Sequence, residues 1–447
     1  MPDLYEDPYS DAYDTGSSGG GGGSGLFNAT RAPRIIVQAA FSVPIADCIL
    51  GSGILGTDTI GGTTMVDITA DVRAITITRG RDSDVDHANP GACTILLGNA
   101  SGDYDPLNLS GPYVAAGVSL VDIGVAVTVD VEWPTGQFYR RFTGKIADIS
   151  MDAGLFPTAT FTCADGLEDL GRAYLAVEPP VFDGDTTGDR INNLADRAGW
   201  PTLDRAIDTG NDILGPTILG GSALELMRQV EQTEFGLLWV DGAGILAFYD
   251  RFRAQNANRS VTVQAALTDT SGPGELGMVE LELSLSRERI YNTAAATREA
   301  SALNPDGDEP VEQTASDAAS IAKYGTLNLP VEVGTLKTTD AQVKAMLEGI
   351  VNRFADGQVR IRQVRINAFR GQLWATLLPL TLLDRISVSR NYGPNTISRQ
   401  LLIQGFSEEI AVSPARWEIT LSTSEPPPAE DYCQVGVGVL GTDLLGW

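Results

Sequence analysis

Apolar and polar residues alternate with a period of two in several short runs of the first half of the chain. Residues 125–133 give the clearest example, because every second side chain is Val or Trp and the intervening ones are Ala, Thr, Asp and Glu. Residues 159–163 and 75–77 repeat this alternation, which is typical of half-buried strands. Turns containing Gly or Pro separate the runs at residues 89–91, 105–106 and 134–136. The region 66–180 therefore predicts a first β domain, a small barrel or a sandwich.

Helical patterns interrupt the strands between residues 181 and 258. Asp189 is placed to cap a short helix, and a second helix starts with Ser222 and Glu225 in the spacing of a capping box. Two apolar runs within residues 237–249 flank an Asp-Gly pair, which favours a hairpin. This region predicts a small α+β module.

The region 259–425 returns to β patterns and contains one strong helix. Thr339 and Gln342 form a capping box, and apolar residues then recur with helical spacing from 343 to 354 until Gly357 ends the run. The predicted strands lie at 359–366, 386–388, 401–406 and 417–421. Residues 301–318 have the composition of an exposed loop.

Both ends of the chain differ from these blocks. Residues 1–25 form an acidic, Tyr-bearing and then Gly/Ser-rich arm, for which docking on a neighbouring subunit and plain flexibility both stay open. An extended segment, 26–65, follows it, and Pro426-Pro427-Pro428 opens a C-terminal tail, 426–447.

A short repeat links these two segments. Residues 48–61 read CILGSGILGTDTIG and residues 433–446 read CQVGVGVLGTDLLG. We interpret the repeat as a recurring assembly motif, with chance similarity of Gly-rich segments as the alternative. The predicted assembly-interface residues are Leu55, Thr57, Asp58, Leu440, Thr442, Asp443 and Trp447, with Tyr5, Tyr9 and Tyr13 of the arm.

The charge excludes one class of function. With 58 acidic against 31 basic residues and a net charge of −27, the chain lacks the basic surface that sequence-specific nucleic-acid binding needs. Basic residues near 79–81 and 360–365 are expected on outward or mixed strand faces. No run of apolar residues is long enough for a membrane span, and the acidic N-terminus does not resemble a secretory signal.

Candidate chemistry is weak. His87 is the single histidine of the sequence, so we predict no catalytic residue, no metal site and no cofactor. Asp82, Asp84 and Asp86 have the alternate spacing of a calcium loop, but the required Gly and Glu are missing, and a solvated connection is the favoured interpretation. The cysteines lack CxxC spacing and are expected to be small buried hydrophobes.

Several segments in a fixed order resemble a known protein family. They are 71–81 (DVRAITITRGR), 93–97 (CTILL), 103–108 (DYDPLN), 142–146 (FTGKI), 162–166 (TCADG), 384–388 (DRISV), 403–410 (IQGFSEEI) and 417–421 (WEITL). This series is similar to minor tail proteins, or baseplate hub proteins, of long-tailed phages (siphoviruses) of actinobacteria. The similarity spans roughly residues 35 to 425.

The resemblance implies a mainly β fold with α+β insertions, in which two small β-barrel, tube-type domains are separated by an α+β module. It also implies a structural, non-enzymatic protein of the virion tail tip, assembled in the host cytoplasm, with a role in host attachment and genome delivery. The implied partners are further copies of the chain in a homotrimer, the distal tail ring, the tape-measure protein and fibre or tip proteins. An acidic inner wall would let DNA slide past, although general solubility also explains the charge.

Three other functions are weighed against this one. A tail-tip adhesin for host-surface glycan is the first alternative, and a cell-wall-degrading enzyme is the second. The third is an extracellular β-protein unrelated to phages, which the missing secretory signal weakens.

Overall fold

The computed structural model describes residues 33–41, 65–179, 181–269, 276–299, 309–329, 335–368, 374–412 and 415–427, and every statement below concerns these residues. They form a mainly β fold with a few helices.

The strands of the first half are β1 (Arg34–Ala39), β2 (Val66–Asp67), β3 (Val72–Gly80), β4 (Asn89–Gly98), β5 (Val114–Ala115), β6 (Val118–Ser119), β7 (Ala126–Glu132), β8 (Phe138–Asp152), β9 (Thr158–Ala164), β10 (Tyr174–Leu175), β11 (Arg205–Ile207), β12 (Gly221–Ser222), β13 (Leu237–Val240) and β14 (Leu246–Tyr249). Those of the second half are β15 (Val263–Thr268), β16 (Leu276–Ser284), β17 (Thr293–Ala296), β18 (Gln313–Ser316), β19 (Arg360–Asn367), β20 (Arg385–Tyr392), β21 (Asn395–Val412) and β22 (Ala415–Ser424). The helices are α1 (Gly166–Arg172), α2 (Thr187–Arg197), α3 (Ala223–Glu234), α4 (Arg253–Asn256), α5 (Asn258–Val261), α6 (Ala318–Tyr324), α7 (Asp340–Phe354) and α8 (Trp374–Leu377).

Six strands of the first half form a barrel in the order β1-β7-β8-β9-β4-β3, with all neighbours antiparallel. The barrel has a seam between β1 and β3, which do not pair with each other. There the chain pairs β2 with β1, makes a 3-10 turn over Thr69–Asp71 and enters β3 directly. The buried Thr69 side chain accepts a hydrogen bond from the Val37 amide at 2.8 Å, which fastens the turn to β1.

Six strands of the second half close a second barrel in the order β21-β20-β15-β16-β19-β22, with β22 pairing back onto β21. Its seam occupies the equivalent place, because β15 and β16 pair through only two residue pairs, in parallel. The expected fold, two small β-barrels separated by an α+β module, is confirmed.

Five strands follow the same path in both barrels. The series β3, β4, β7, β8, β9 and the series β16, β19, β20, β21, β22 have the same chain order, the same neighbours and the same antiparallel directions. The sixth strand differs, since β1 is antiparallel to β7 whereas β15 is parallel to β20.

The match extends to single residues. The β8–β9 register shifts between Ile146 and Asp148, and the β21–β22 register shifts between Ile403 and Gly405. Just before these bulges the Gly124 amide bonds the Ile146 carbonyl at 2.7 Å. In the second barrel the Leu383 amide bonds the Ile403 carbonyl, also at 2.7 Å.

The two donor residues even share a backbone conformation, with φ of 81° at Gly124 and 62° at Leu383. The β3–β4 and β16–β19 ladders likewise carry bulges at equivalent places, after Val72 and after Met278. The chain therefore contains a structural duplication.

The two barrels share one hydrophobic core, which contains buried apolar side chains from the strands of both barrels. The alternating residues of β7 depart from expectation, because their polar side chains are buried as well as the valines. Arg140 pairs with Asp130 at 2.5 Å and Arg34 pairs with Glu132 at 3.1 Å. Cross-strand arginines thus cover a face that the sequence pattern predicts to be solvated. Cys93 and Cys163 are free and buried, as expected.

The α+β module packs between the barrels. Helices α1, α2 and α3 share a second core with one face of the β13–β14 hairpin, which includes Leu238 and Phe248. The other face, with Trp239 and Ala247, belongs to the barrel core. This double burial explains why β13 is apolar at every position. The hairpin and the Ser222–Glu225 capping box are confirmed.

A third core lies under α7, which packs on the β17–β18 pair. The Thr339–Gln342 capping box is confirmed, although the helix ends at Phe354, before Gly357. The predicted exposed loop is wrong over its second part, since residues 313–316 are strand β18 and α6 follows.

Two further local predictions are wrong. Thr186, not Asp189, caps α2, because the Thr186 hydroxyl accepts the Asp189 amide. Residues 89–91 are not a turn but the start of β4, where the Asp165 carboxylate accepts the Gly91 amide at 2.7 Å.

Candidate assembly interface

The two barrels join through β3 and β21, which form one continuous antiparallel ladder. Ala74 to Gly80 of β3 pair with Ala411 to Gly405 of β21. Strand β21 is long enough to pair with β20 first and with β3 further along, while β22 covers its other edge. We call this ladder the internal junction. Strand β21 of the second barrel thereby extends the sheet of the first barrel at β3.

A buried ion cluster sits on the inward face of the internal junction. The Arg141 guanidinium of β8 donates two hydrogen bonds to one carboxylate oxygen of Glu408, at 2.5 and 3.0 Å, and a third to the Leu378 carbonyl at 2.8 Å. Arg79 lies 3.8 Å from the same oxygen and 4.8 Å above the Phe406 ring. Burial, with Arg141 close by, lowers the pKa of Arg79 to about 10. The expectation that Arg79 lies on an outward or mixed face is wrong, because these partners draw it inward.

The tip of the β13–β14 hairpin closes over this cluster. The Thr143 hydroxyl donates to the Gly242 carbonyl at 3.0 Å, and the Arg79 guanidinium donates to the Arg141 carbonyl at 2.8 Å. A Cβ atom on Gly242 would come within 2.5 Å of the Arg140 carbonyl oxygen, so the approach requires glycine at this position. The α+β module is therefore seated directly on the joint between the barrels.

The β3–β4 loop ties the first barrel to two helices. Asp84 pairs with Arg353 of α7 at 2.8 Å, and His87 lies 2.7 Å from Glu231 of α3. Arg228 holds the same Glu231 at 2.6 Å. Asp84 is 9% exposed, so the expectation of a solvated connection is wrong at this residue. Its carboxylate serves as an anchor.

A second buried polar group lies inside the α+β module. Asp212 accepts Lys337 at 2.5 Å and Arg251 at 2.8 Å. These two cations lower the pKa of Asp212 against the opposing effect of burial. Glu234 accepts the Thr187 hydroxyl at 2.7 Å and the Asn211 amide at 3.1 Å. Through its ion pair with Asp212, Lys337 joins the segment before α7 to the α+β module.

Asp165 is a buried carboxyl group with a structural role at the start of α1. Asp165 caps α1 and accepts two backbone amides, and burial raises its pKa to about 7. Within the described ranges no group of three or more His, Cys, Asp or Glu side chains could hold a metal ion. In that same part of the chain no helix has the length and apolarity to span a membrane.

The predicted interface residues all lie outside the described residues. They are Leu55, Thr57, Asp58, Leu440, Thr442, Asp443, Trp447, Tyr5, Tyr9 and Tyr13, and their interface role stays a prediction. Arg141 and Glu408 are not among the predicted site residues. Glu408 stands at an inward position of an alternating strand, between the buried Phe406 and Ile410, and this was the available signal.

Comparison with known proteins gives structural neighbours. No family model and no curated protein matches the sequence. The 43 kDa tail protein of prophage MuSo2 from Shewanella oneidensis matches 88% of this chain and 99% of its own length, with a TM-score of 0.54 and 15% identity. A tail protein from Neisseria meningitidis MC58 matches 88% of this chain and 96% of its own, with a TM-score of 0.54 and 12% identity. The chain shares the fold of these two tail proteins.

Proposed function

We propose that this chain is a structural component of a phage tail tip, a hub-like part of a ring that closes the tail tube and connects it to other tip proteins. The observation that carries the proposal is the internal junction, which joins two barrels of equal strand path side by side in one chain. The shared fold with two tail proteins over most of the chain supports it.

The proposed assembly is a homotrimer, in which three chains supply six barrels to one ring. The further partners are the distal tail ring, the tape-measure protein and fibre or tip proteins, and the place of action is the virion tail tip. Exposed apolar side chains offer contacts for such partners. Leu155 and Phe156, at the tip of the β8–β9 hairpin, are 88% and 82% exposed, and Leu107 is 83% exposed.

A tail-tip adhesin is the weaker proposal. Among the described residues, the exposed aromatic side chains Phe138, Phe156, Tyr174 and Tyr392 lie on four separate segments of the chain, so the sequence contains no local aromatic cluster for a sugar. A pull-down of the chain with host cell-wall polymer tests this function. Retention that a soluble glycan competes away would support it.

Light scattering of the purified chain, with negative-stain microscopy, tests the ring. We expect a closed particle of three chains with a central opening. A chain cut after Pro428 serves as a second sample, and weaker assembly of this sample would give the C-terminal repeat an assembly role. A chain that stays monomeric at every concentration would contradict self-assembly.

A further inference from the structure

The structural duplication shows that each barrel carries both partners of a barrel–barrel joint. In the internal junction the first barrel contributes β3 and the second contributes β21. The duplicate of β3 is β16, and the duplicate of β21 is β8, because these strands have equivalent neighbours and share one bulge each, after Val72 and Met278 and after Ile146 and Ile403. The second register shift differs, since it follows Thr78 in the β3–β4 ladder and Glu282 in the β16–β19 ladder. The internal junction uses β3 and β21. Their duplicates, β16 and β8, remain for a second joint of the same kind.

Both remaining edges are open in the described residues. Strand β7 leaves β8 after Lys145, so residues 148–152 have β9 on one side and no strand on the other. Strand β15 touches only the first two residues of β16, so residues 280–284 have β19 on one side and no strand on the other. Leu285 and Ser286 continue this segment directly beyond the end of β16. We call these two segments the free edges. The matching segments of β21 and β3 are the ones that form the internal junction.

We propose that β16 of one chain pairs with β8 of a second copy, in the register that β3 and β21 use within the chain. The internal pairs Thr78–Ser407 and Arg79–Phe406 then predict the pairs Ser284–Ser150 and Leu285–Ile149 between copies. This inference rests on the proposed ring and specifies its copy-to-copy contact.

The side chains of the free edges suit such a joint. Leu281, Leu283 and Leu285 alternate with Glu280, Glu282 and Ser284, and on β8 Ile149 and Met151 alternate with Asp148, Ser150 and Asp152. The duplication places the apolar set of each edge on the inward face, in the positions of the buried Ile77, Arg79, Phe406 and Glu408.

Two of these apolar side chains have no cover in the isolated chain. Leu285 is 65% exposed and Met151 is 45% exposed. Where the internal junction holds the ions Arg79 and Glu408, the joint between copies would hold Leu285 and Met151. Apolar side chains that stay exposed in one chain and face each other across an antiparallel ladder favour association.

Paired cysteines test the register in the full chain. With Cys48 and Cys433 replaced by Ser, the S150C/S284C variant should form disulfide-linked multimers under mild oxidation, because directly opposed residues of antiparallel strands meet the Cα distances of a disulfide. A mixture of the two single variants should stop at the linked dimer. The T78C/S407C variant, at the equivalent positions of the internal junction, should close within one chain and confirms the oxidation conditions. S101C/S284C is the mismatched control and should stay unlinked.

A charge in the joint gives a second readout. We expect L285D to weaken association by at least about tenfold, whereas L203D, at a leucine that is 94% exposed and far from both edges in sequence, should leave it unchanged. A wild-type ring that forms while S150C/S284C stays unlinked and L285D has no effect would overturn this ladder and leave the ring standing. If the wild-type chain does not assemble and S150C/S284C does not form linked multimers, both the ring and the ladder are overturned.

Discussion

The internal junction and the free edges occupy equivalent places in the two barrels but carry different side chains. The internal junction encloses Arg79, Arg141 and Glu408 in a cluster covered by the α+β module. The free edges present Leu285 and Met151 to solvent. A joint made within one chain always has its partner present, so buried ions are never left unpaired. A joint between chains must tolerate a separated state, which exposed apolar side chains do at lower cost than unpaired buried charges.

Removing the buried carboxylate should have the largest effect. In E408A the guanidinium groups of Arg79 and Arg141 lose their counter-ion, and we expect the free energy of unfolding to fall by about 3–5 kcal/mol. Denaturant unfolding followed by Trp fluorescence measures this loss. E409Q, one residue along on the outward face, is the matched control and should change stability by less than about 0.5 kcal/mol. A loss below about 1 kcal/mol in E408A would show that water reaches the cluster.

Replacing the buried ions of the internal junction with apolar side chains, like those of the free edges, should restore most of the stability that E408A loses. In R79L/R141M/E408M no buried charge remains, and we expect a free energy of unfolding within about 2 kcal/mol of wild type. The same unfolding experiment on R141M, E408M and R141M/E408M gives the interaction energy of the Arg141–Glu408 pair. A triple variant as unstable as E408A would mean that the ions specify the joint.

The stability of the fold should depend on pH through Asp165, at the end of β9. Asp165 follows β9 and has a pKa raised by burial to about 7, so the folded state binds this proton more tightly than the unfolded state does. Its contribution to the free energy of unfolding therefore falls as the pH rises from about 4 to about 7, by on the order of 4 kcal/mol. D165S keeps an oxygen that caps α1 but does not titrate.

Unfolding midpoints from pH 4.5 to pH 8 measure this contribution as the difference between wild type and D165S. The variant E425Q, at the equivalent place after β22, is the control and should follow the wild-type profile. Parallel profiles of wild type and D165S would show that Asp165 is charged throughout.

A like-charge pair should limit the joint between copies. The proposed register sets Glu282 opposite Asp152, and D152N removes one of the two charges while its amide oxygen can still accept the Gly154 amide. We expect association to strengthen by about two- to fivefold, since opposed like charges cost roughly 0.2–1 kcal/mol. Light scattering across a dilution series shows the change. Weaker association would argue against this register.

The sequence predicts the strands and helices of this fold better than their partners. Period-two runs identify β7, β9, β19 and β22, and capping boxes locate α3 and α7, because these signals are local. The barrel duplication leaves little trace in the residues. Residues 159–165 read ATFTCAD and 419–425 read ITLSTSE, so two of the three inward positions stay apolar, whereas the buried Thr423 stands at the place of Cys163 and identity is nearly lost.

The buried charges are harder to predict from the sequence than the strands and helices. Arg79 and Glu408 lie more than 300 positions apart in the chain, and neither neighbourhood indicates that the two side chains meet. Composition suggests surface positions for both, since Arg and Glu are seldom buried unless they are paired. Only the strand register of the internal junction brings them together.

Strand β21, which links the two barrels through β3, also changes the entropy of ring formation. A ring of separate single-barrel chains would need one association for every joint, and each association loses about 4–15 kcal/mol of translational and rotational freedom. In the proposed ring β21 fixes every second joint inside a chain. Half of the joints therefore form when the chain folds and need no association between chains. The remaining joints can then be individually weak, and a chain can still leave a growing ring and bind again before the ring closes.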